Sequence, residues 1–202
     1  MPTLYVLRHG QTEFNLQHRV QGRCDSPLTP LGVEQARAAG RWLAWQGVRF
    51  DRMCSSPLGR AASTLEVVRE ELRAAGEKDL PPAELVDGLM ERSYGTFESG
   101  PTADVPADLW DPGERLVRYG GEGSAALRER VVATMTGIME APGVGCALAV
   151  SHGSATLQFK LAWEHLAHCP QDVHLGNCCV LVFDYDPEVR TFACERIVNQ
   201  AL

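Results

Sequence analysis

The 202-residue sequence contains no apolar stretch of about 18 residues, so it offers no segment long enough to cross a membrane as a helix. It also lacks a basic stripe: 19 lysines and arginines stand against 26 aspartates and glutamates, and the formal net charge is -7. Proteins that bind nucleic acid need clustered cations to neutralise phosphates. We therefore expect neither a membrane nor a nucleic acid among the partners of this protein.

The seven cysteines include no Cys-x-x-Cys pair, and an odd number does not suit a disulfide framework. The chain runs from Met1 directly into an apolar segment, without the regions of a signal peptide. Reduced thiols in the cytoplasm are therefore the expected state. His165 and His168 have ligand-like helical spacing, but no third ligand accompanies them, so we expect no metal site.

Apolar runs alternate with segments of helical periodicity, which is typical of an α/β protein. No Gly/Ser-rich linker or internal repeat divides the chain, so we expect a single domain over residues 1–202. The pattern predicts helices at 58–75, 124–140 and 154–167, and strands at 3–7, 49–54, 84–86 and 145–150. A closing hairpin is predicted from residues 178–185 and 190–198.

A further helix is predicted after Thr29, which can cap it with Pro30 in the first turn. Its helical spacing predicts an apolar face that includes Leu31 and Trp42, and Trp45 is also expected in the core. Residues 98–123 contain three prolines and several glycines and are predicted to form one long loop. Long loops in compact domains are often functional, so we expect this segment to be a lid.

Charged and polar residues follow three of the predicted strands. Arg8 and His9 come after the first strand, Arg60 follows the second strand and its turn, and His152 follows the run that ends at Val150. Open α/β sheets bind ligands at the carboxyl ends of their strands, so these side chains are expected to converge. Each arginine fork can hold two phosphate oxygens. The sequence therefore predicts a phosphate-binding site.

Five ordered blocks carry a family resemblance. They are Arg8-His9-Gly10-Gln11-Thr12-Glu13-Phe14-Asn15, Ser55-Ser56-Pro57-Leu58-Gly59-Arg60-Ala61, Glu91-Arg92-Ser93-Tyr94-Gly95-Thr96-Phe97-Glu98, Val150-Ser151-His152-Gly153 and Gly176-Asn177-Cys178-Cys179-Val180. In this order the chain resembles the phosphoglycerate-mutase-like histidine phosphatases. The resemblance implies a three-layer α/β sandwich with a mostly parallel central sheet and helices on both faces.

The chemistry and the resemblance together suggest a catalytic set. His9 is the expected nucleophile, because a neutral imidazole can attack phosphorus, and neighbouring arginines lower its pKa below about 6.5. The resemblance implies that the Gly10 carbonyl fixes its tautomer. His152, Arg8 and Arg60 would stabilise the transferring group. Glu91 matches the family's general acid and base, and Glu98 and Glu13 are weaker alternatives.

The substrate-binding set is expected to comprise Asn15, Gln11, Thr12, Gly22, Arg23, Arg92, Tyr94 and Gly153. The residues expected to determine substrate specificity are Arg23, Arg92 and Tyr94 from this set, together with Arg115 and Arg118. Neither a cofactor nor a metal is expected. The predicted partner is a small phosphate ester.

Mutases and phosphatases of this family share their catalytic core, and Arg92 and Tyr94 match positions that bind substrate in mutases. However, Thr102 stands where mutases carry a lysine, and their long insert with paired arginines is missing. A short lid should admit water, so the phosphoenzyme would be hydrolysed. We therefore expect a metal-independent phosphomonoester hydrolase. A cofactor-dependent phosphoglycerate mutase and a non-catalytic phosphate-binding module remain the alternatives.

Overall fold

The structure, a computed structural model, describes residues 1–106 and 108–200. Residue 107, within the predicted lid, and residues 201 and 202, at the end of the predicted domain, lie outside the described residues. The strands are β1 (Thr3–Arg8), β2 (Arg52–Ser55), β3 (Ala83–Leu85), β4 (Cys146–Ser151), β5 (Val180–Asp186) and β6 (Thr191–Val198). The α-helices are α1 (Glu13–Leu16), α2 (Pro30–Trp45), α3 (Gly59–Ala74), α4 (Ser124–Met139) and α5 (Gly153–Trp163). None of the helices in the described ranges has the length and apolar character needed to cross a membrane.

The strands form one sheet in the order β3-β2-β4-β1-β5-β6. The pairs β2/β3, β2/β4 and β1/β4 are parallel, whereas β5 runs antiparallel to both β1 and β6. The predicted mostly parallel sheet and the closing hairpin are therefore confirmed. Because β1, β2 and β4 are parallel neighbours, their carboxyl ends lie at one edge of the sheet.

Side chains of the central strands alternate between two cores, as the period of two along a strand requires. Leu7 and Val150 pack with helices α2 and α3 on one face of the sheet. Leu4 and Ala149 pack with helices α4 and α5 on the other face. Central strands buried on both faces explain the continuous apolar runs in the sequence. The predicted three-layer sandwich is confirmed.

Helix α2 begins as predicted, with the Thr29 side chain accepting a hydrogen bond from the backbone N–H of Gly32. The predicted apolar face is wrong in part, because Leu31 is 45% exposed and Trp45 is 81% exposed. The buried face consists of smaller residues, namely Gly32, Ala36, Ala39, Gly40 and Leu43. A Cβ at Gly40 would lie 2.7 Å from the Glu71 side chain on α3, so the close approach of the two helices requires small residues there.

Residues 98–123 contain two short 3-10 turns, Thr102–Asp104 and Val117–Tyr119, and are otherwise irregular where the structure describes them. The segment begins beside the loop after α1, where the Ser99 N–H donates to the Val20 carbonyl and Thr102 N–H donates to the His18 carbonyl. It ends at α4, where the Ser124 N–H donates to the Gly113 carbonyl. This predicted lid is therefore tied to the body of the protein at both ends.

Candidate active site

Three strand ends bring the predicted catalytic side chains together. In the parallel β1/β4 pair, Arg8 lies opposite Ser151, and the His9 N–H donates to the Ser151 carbonyl at 3.0 Å. The residues that follow these strand ends, His9 and His152, have ring centroids 5.2 Å apart. Arg60 is the second residue of α3, which begins after the turn that follows β2. Adjacent parallel strands thus place residues 8, 9, 60 and 152 in one region.

His9 is held in one orientation and is uncharged. Its Nδ1 atom lies 2.7 Å from the Gly10 carbonyl oxygen, which can only accept, so the ring proton is on Nδ1 and the Nε2 lone pair is available. The residue is 3% exposed. Burial and the charges of Arg60 and Arg8 hold the pKa of His9 well below its usual value, although the Gly10 hydrogen bond acts in the opposite direction. This is the protonation state that a nucleophile requires.

The two buried arginines are fixed by backbone carbonyls. Arg8 is 8% exposed and donates from one terminal nitrogen to the Leu175 carbonyl at 2.8 Å. Arg60 is 1% exposed and donates to the Cys24 and Gly22 carbonyls, each at 2.8 Å. It also donates to Asp25 at 3.0 Å. The buried Nε atom of each arginine has no partner among the described residues, so one edge of each fork is left for an anion.

His152 is fully buried, and both of its ring nitrogens lack a hydrogen-bond partner among the described residues. Burial, Arg60, His9, Arg8 and Arg130 lower the pKa of His152 well below its usual value, so the ring is neutral and carries one N–H donor. We call Arg8, His9, Arg60 and His152 the cavity floor: the first three line the cavity, and His152 does not line it but lies behind His9, with 5.2 Å between their ring centroids. Among the described residues, buried Nε atoms without a hydrogen-bond partner also occur on Arg23, Arg69 and Arg92, although Arg69 Nε lies 3.5 Å from a Glu66 carboxylate oxygen. The convergence of unpaired donors on one place therefore supports an anion site more strongly than their number does.

Glu91 is 7% exposed and lies against the N-terminus of α5. Its Oε1 atom accepts from the backbone N–H groups of Arg92 at 2.8 Å and Ala155 at 3.0 Å, and its Oε2 atom accepts from Ser154 N–H at 3.0 Å. These bonds orient the carboxyl group, which lines the same cavity as the floor. The weaker carboxylate candidates, Glu98 and Glu13, do not line it.

The cavity has a volume of about 90 Å³. It is lined by Arg8, His9, Asn15, Arg19, Val20, Gln21, Gly22, Arg60, Glu91, Tyr94, Leu109, Trp110, Gly153 and Ser154. Four of the predicted substrate-binding residues are in this set, namely Asn15, Gly22, Tyr94 and Gly153. The Asn15 side-chain oxygen accepts from the backbone N–H of Thr12, which fixes its position beside the floor.

Gln11 and Thr12, which were predicted to bind substrate, do not line the cavity. The Gln11 side-chain oxygen accepts from the Thr29 hydroxyl at 2.9 Å, so this residue braces the start of α2. Thr12 is the N-cap of α1, where its hydroxyl accepts from the Asn15 N–H. Both residues bond to neighbouring elements because the loop after β1 turns immediately into helix α1.

Arg23 and Arg92, which were also predicted to bind substrate, do not line the cavity either. Arg92 is fully buried and donates to the Glu122 carbonyl at 2.7 Å and to the Ser124 hydroxyl at 3.0 Å. Arg23 lies against the Met90 sulfur and 3.8 Å from Glu122. These contacts tie both arginines to residues 122–124. The other two arginines among the specificity candidates, Arg115 and Arg118, line a separate surface depression.

Six lining residues were not predicted from the sequence, namely Arg19, Val20, Gln21, Leu109, Trp110 and Ser154. The Arg8 guanidinium lies over the Trp110 ring, 4.6 Å from its centroid. A Cβ at Gly153 would come within 3.0 Å of the same ring, which explains why glycine follows His152. A tryptophan within a proline-rich segment would have been the available signal for Trp110, but its partner could not be identified without the fold.

Among residues 1–106 and 108–200, no group of three or more histidine, cysteine, aspartate or glutamate side chains is arranged to hold a metal ion. His168 instead pairs with Glu195, with 2.6 Å between its Nδ1 atom and the carboxylate. The positive charges of Arg8 and Arg60, which lower the pKa of both His9 and His152, would repel a cation beside these rings.

Comparison with known proteins agrees with this geometry. The family model of the histidine phosphatase superfamily (branch 1) matches residues 4–198. A broad-specificity phosphatase from Saccharomyces cerevisiae is 31% identical over 204 residues, covering 97% of this chain and 85% of the yeast protein. A probable phosphoglycerate mutase from Proteus mirabilis is 32% identical over 191 residues, covering 92% of this chain and 86% of that protein. The solved structure of phosphoglycerate mutase from Bacillus anthracis has a TM-score of 0.80 and 25% identity, covering 96% of this chain and 91% of that one. The chain described here belongs to the histidine phosphatase superfamily.

Proposed function

We propose that this protein hydrolyses phosphate monoesters through a phosphohistidine intermediate on His9. The observation that carries the proposal is the state of the His9 ring: it is neutral, its Nδ1 proton is bound to Gly10, and it lies beside two buried arginines with unpaired Nε atoms. A monoester dianion is repelled by most nucleophiles, so its charge must be neutralised where the attack occurs. The floor supplies that neutralisation and the nucleophile in one cavity.

In the first step, the Nε2 lone pair of His9 attacks phosphorus, and the bond from phosphorus to the alcohol oxygen breaks. The departing oxygen takes a proton from the carboxyl group of Glu91, so the alcohol leaves neutral. Arg8, Arg60 and the N–H of His152 donate to the phosphoryl oxygens while the group is transferred. The products of this step are the alcohol, phosphohistidine and a Glu91 carboxylate.

In the second step, the Glu91 carboxylate removes a proton from water, and the water oxygen attacks phosphorus as the bond to Nε2 breaks. Inorganic phosphate is released, and His9 and protonated Glu91 are restored. The three N–H groups that bind Glu91 aim both of its oxygens without using a side chain that could itself titrate. One oriented carboxyl group therefore serves both half-reactions.

Within the same proposal, residues 98–123 act as a lid on a single catalytic domain, and the substrates are small phosphorylated metabolites turned over without a metal. The Tyr94 hydroxyl donates to the Leu109 carbonyl at 2.7 Å and contacts the Ser154 hydroxyl at 2.8 Å, which fastens the lid to α5. Leu109 and Trp110 then form part of the cavity wall. Buried arginines perform the charge neutralisation that a metal performs in other phosphatases.

Phosphoglycerate mutase activity is the second candidate, because the relative from Proteus mirabilis is named as a probable mutase. The orientation of Arg92 argues against it. The resemblance makes Arg92 a substrate-binding residue in mutases, but here its terminal nitrogens are bound to Glu122 and Ser124 outside the cavity. Isomerisation of phosphoglycerate that is faster than phosphate release, and that requires a bisphosphorylated primer, would favour the mutase.

The deciding experiment measures inorganic phosphate released from nitrophenyl phosphate in the presence of a chelator. The wild type is expected to turn over and, after rapid quenching, to carry an acid-labile phosphoryl group. His9→Ala should abolish both signals, whereas His165→Ala, which removes an exposed histidine outside the cavity, should preserve them. Phosphate-ester binding without turnover would support a binding module, and full turnover by His9→Ala would refute the mechanism.

A further inference from the structure

A third arginine, Arg19, lines the cavity at its mouth. It follows α1 in a loop that pairs with the beginning of the lid, where Arg19 bridges to Pro101. Arg8 and Arg60 on the floor are 8% and 1% exposed, whereas Arg19 is only partly buried. It therefore lies farther from the protein interior than the floor does, and a phosphate held by the floor need not reach it.

The Arg19 guanidinium is held in place by contacts that leave its terminal nitrogens without a hydrogen-bond partner among the described residues. Its Nε atom donates to the Ser99 carbonyl at 2.8 Å, and its plane lies over the Phe14 ring, 4.3 Å from the centroid. Within the described ranges, no carboxylate forms an ion pair with it. An arginine that is already ordered loses little conformational entropy when it binds an anion.

The direction of the substrate follows from the position of the floor. When the phosphoryl group is beside His9, the alcohol portion must extend towards the mouth, because the strand ends close the other side. The lining residues that are only partly buried include the apolar side chains of Leu109 and Trp110, and Arg19 as the cation. Arg19 is thus placed to meet the part of the substrate that differs from one phosphate ester to another.

We propose that Arg19 binds a second anionic group, a carboxylate or a phosphate, on the alcohol portion of the substrate. This inference rests on the proposed hydrolase function and identifies its substrate class as phosphomonoesters of acidic alcohols. Unlike Arg23, Arg92, Arg115 and Arg118, Arg19 lines the cavity that contains His9. A bidentate contact from its two terminal nitrogens would favour a planar carboxylate or a phosphate over a hydroxyl.

The test compares kcat/KM for pairs of substrates that differ in one anionic group: phenyl phosphate against the carboxyphenyl phosphates, and glycerol phosphate against phosphoglycerate and glycerol bisphosphate. The wild type is expected to prefer the acidic member of a pair. In Arg19→Gln, this preference should fall about ten- to hundredfold, as expected for a lost hydrogen bond between charged groups. Arg19→Lys should retain part of the preference because it keeps the charge but loses the fork.

Arg73→Gln is the matched control, because it removes the same charge from an exposed arginine of α3 that does not line the cavity, and it should leave the preference unchanged. Equal losses for both members of every pair in Arg19→Gln would overturn the proposal, since they would show that Arg19 only anchors the lid or touches the phosphoryl group. A wild type that hydrolyses neutral and acidic esters equally would also overturn it, while the hydrolase function would stand. A wild type that releases phosphate from none of these esters would refute the proposed function itself.

Discussion

Replacing Glu91 by glutamine separates its catalytic role from its structural role. Glutamine keeps the shape of the side chain but has no proton of suitable acidity to give to a departing alkoxide. General acid catalysis contributes about 10²- to 10⁴-fold to such steps. In Glu91→Gln, kcat/KM for an alkyl phosphate should therefore fall by about that factor. For nitrophenyl phosphate, whose leaving group needs little protonation, the fall should be at least tenfold smaller.

The second half-reaction provides an independent signal in the same variant. Without a carboxylate to activate water, the phosphohistidine should accumulate during turnover of nitrophenyl phosphate. We expect a burst of nitrophenol equal to the enzyme concentration, followed by a slow steady state. Rapid-mixing absorbance measurements with the wild type and the variant would show this difference directly.

The structural cost can be estimated from the three N–H groups that Glu91 accepts. An amide has one accepting atom, so its NH2 group would face one of these donors, for example the Ser154 N–H now at 3.0 Å from Oε2. A buried donor without an acceptor costs about 1–3 kcal/mol. For a protein of this size, that loss lowers the melting temperature by about 2–12 °C. Activity must therefore be compared well below the melting temperature of the variant.

Glu98→Gln is the matched control. The Glu98 carboxylate also accepts from backbone N–H groups, those of Tyr94 at 3.0 Å and Cys24 at 3.2 Å, but it does not line the cavity. It should lower the melting temperature without changing the dependence of kcat/KM on the leaving group. If Glu91→Gln slowed alkyl and nitrophenyl esters by the same factor and showed no burst, Glu91 would not be the acid and base.

Three further predictions follow from the described contacts. The pKa values of His9 and His152 are lowered in the folded protein, so below about pH 6.5 the unfolded chain binds more protons than the folded chain does. The unfolding free energy should therefore fall as the pH is lowered through this range, by up to about 1.4 kcal/mol per pH unit for each histidine. Urea unfolding between pH 7 and pH 5 would measure this slope, which should become shallower when both histidines are replaced by glutamine. Trp110→Ala removes a cation–π contact worth about 0.5–2 kcal/mol and should raise KM about 2- to 30-fold, whereas Trp45→Ala should not change it. Gly32→Ala would place a methyl group against the backbone of the loop after β1 and should lower the unfolding free energy by about 1–3 kcal/mol. Gly137→Ala has open space around it in α4 and should raise the unfolding free energy by about 0.5–1 kcal/mol; thermal unfolding would measure both changes.

The cavity floor could be predicted from the sequence because its geometry follows from short-range order. Arg8 and His9 end one strand and His152 ends another, and parallel strands must bring those ends to the same edge of the sheet. No loop conformation needs to be known for this inference. The same reasoning explains why the sheet and most helices were predicted correctly.

Loop side chains could not be predicted in this way. Arg92 is adjacent to Glu91 in sequence, but successive residues in an irregular segment point in different directions, and Arg92 is directed to the Glu122 carbonyl. Arg19 has no periodic neighbour that would mark it, and its place depends on pairing with the lid. The helix α2 face was misjudged for a related reason: close packing selects glycine and alanine, whereas hydrophobicity alone selects Leu31 and Trp45.

The side chains of the cavity floor need many contacts with the surrounding fold to hold them in position. The buried guanidinium groups of Arg8 and Arg60, and the His152 ring, which has no hydrogen-bond partner among the described residues, lower the stability of the folded chain. Neighbouring contacts therefore have to hold them in position. Asn177 and Cys178 donate to the His9 carbonyl, Leu175 accepts from Arg8, and Gly22 and Cys24 accept from Arg60. Most of these partners are backbone groups on loops that precede or follow strands and helices. The donors are therefore oriented before a phosphate arrives, and they need to move little during the reaction. Electrostatic stabilisation of a transition state is most effective under this condition.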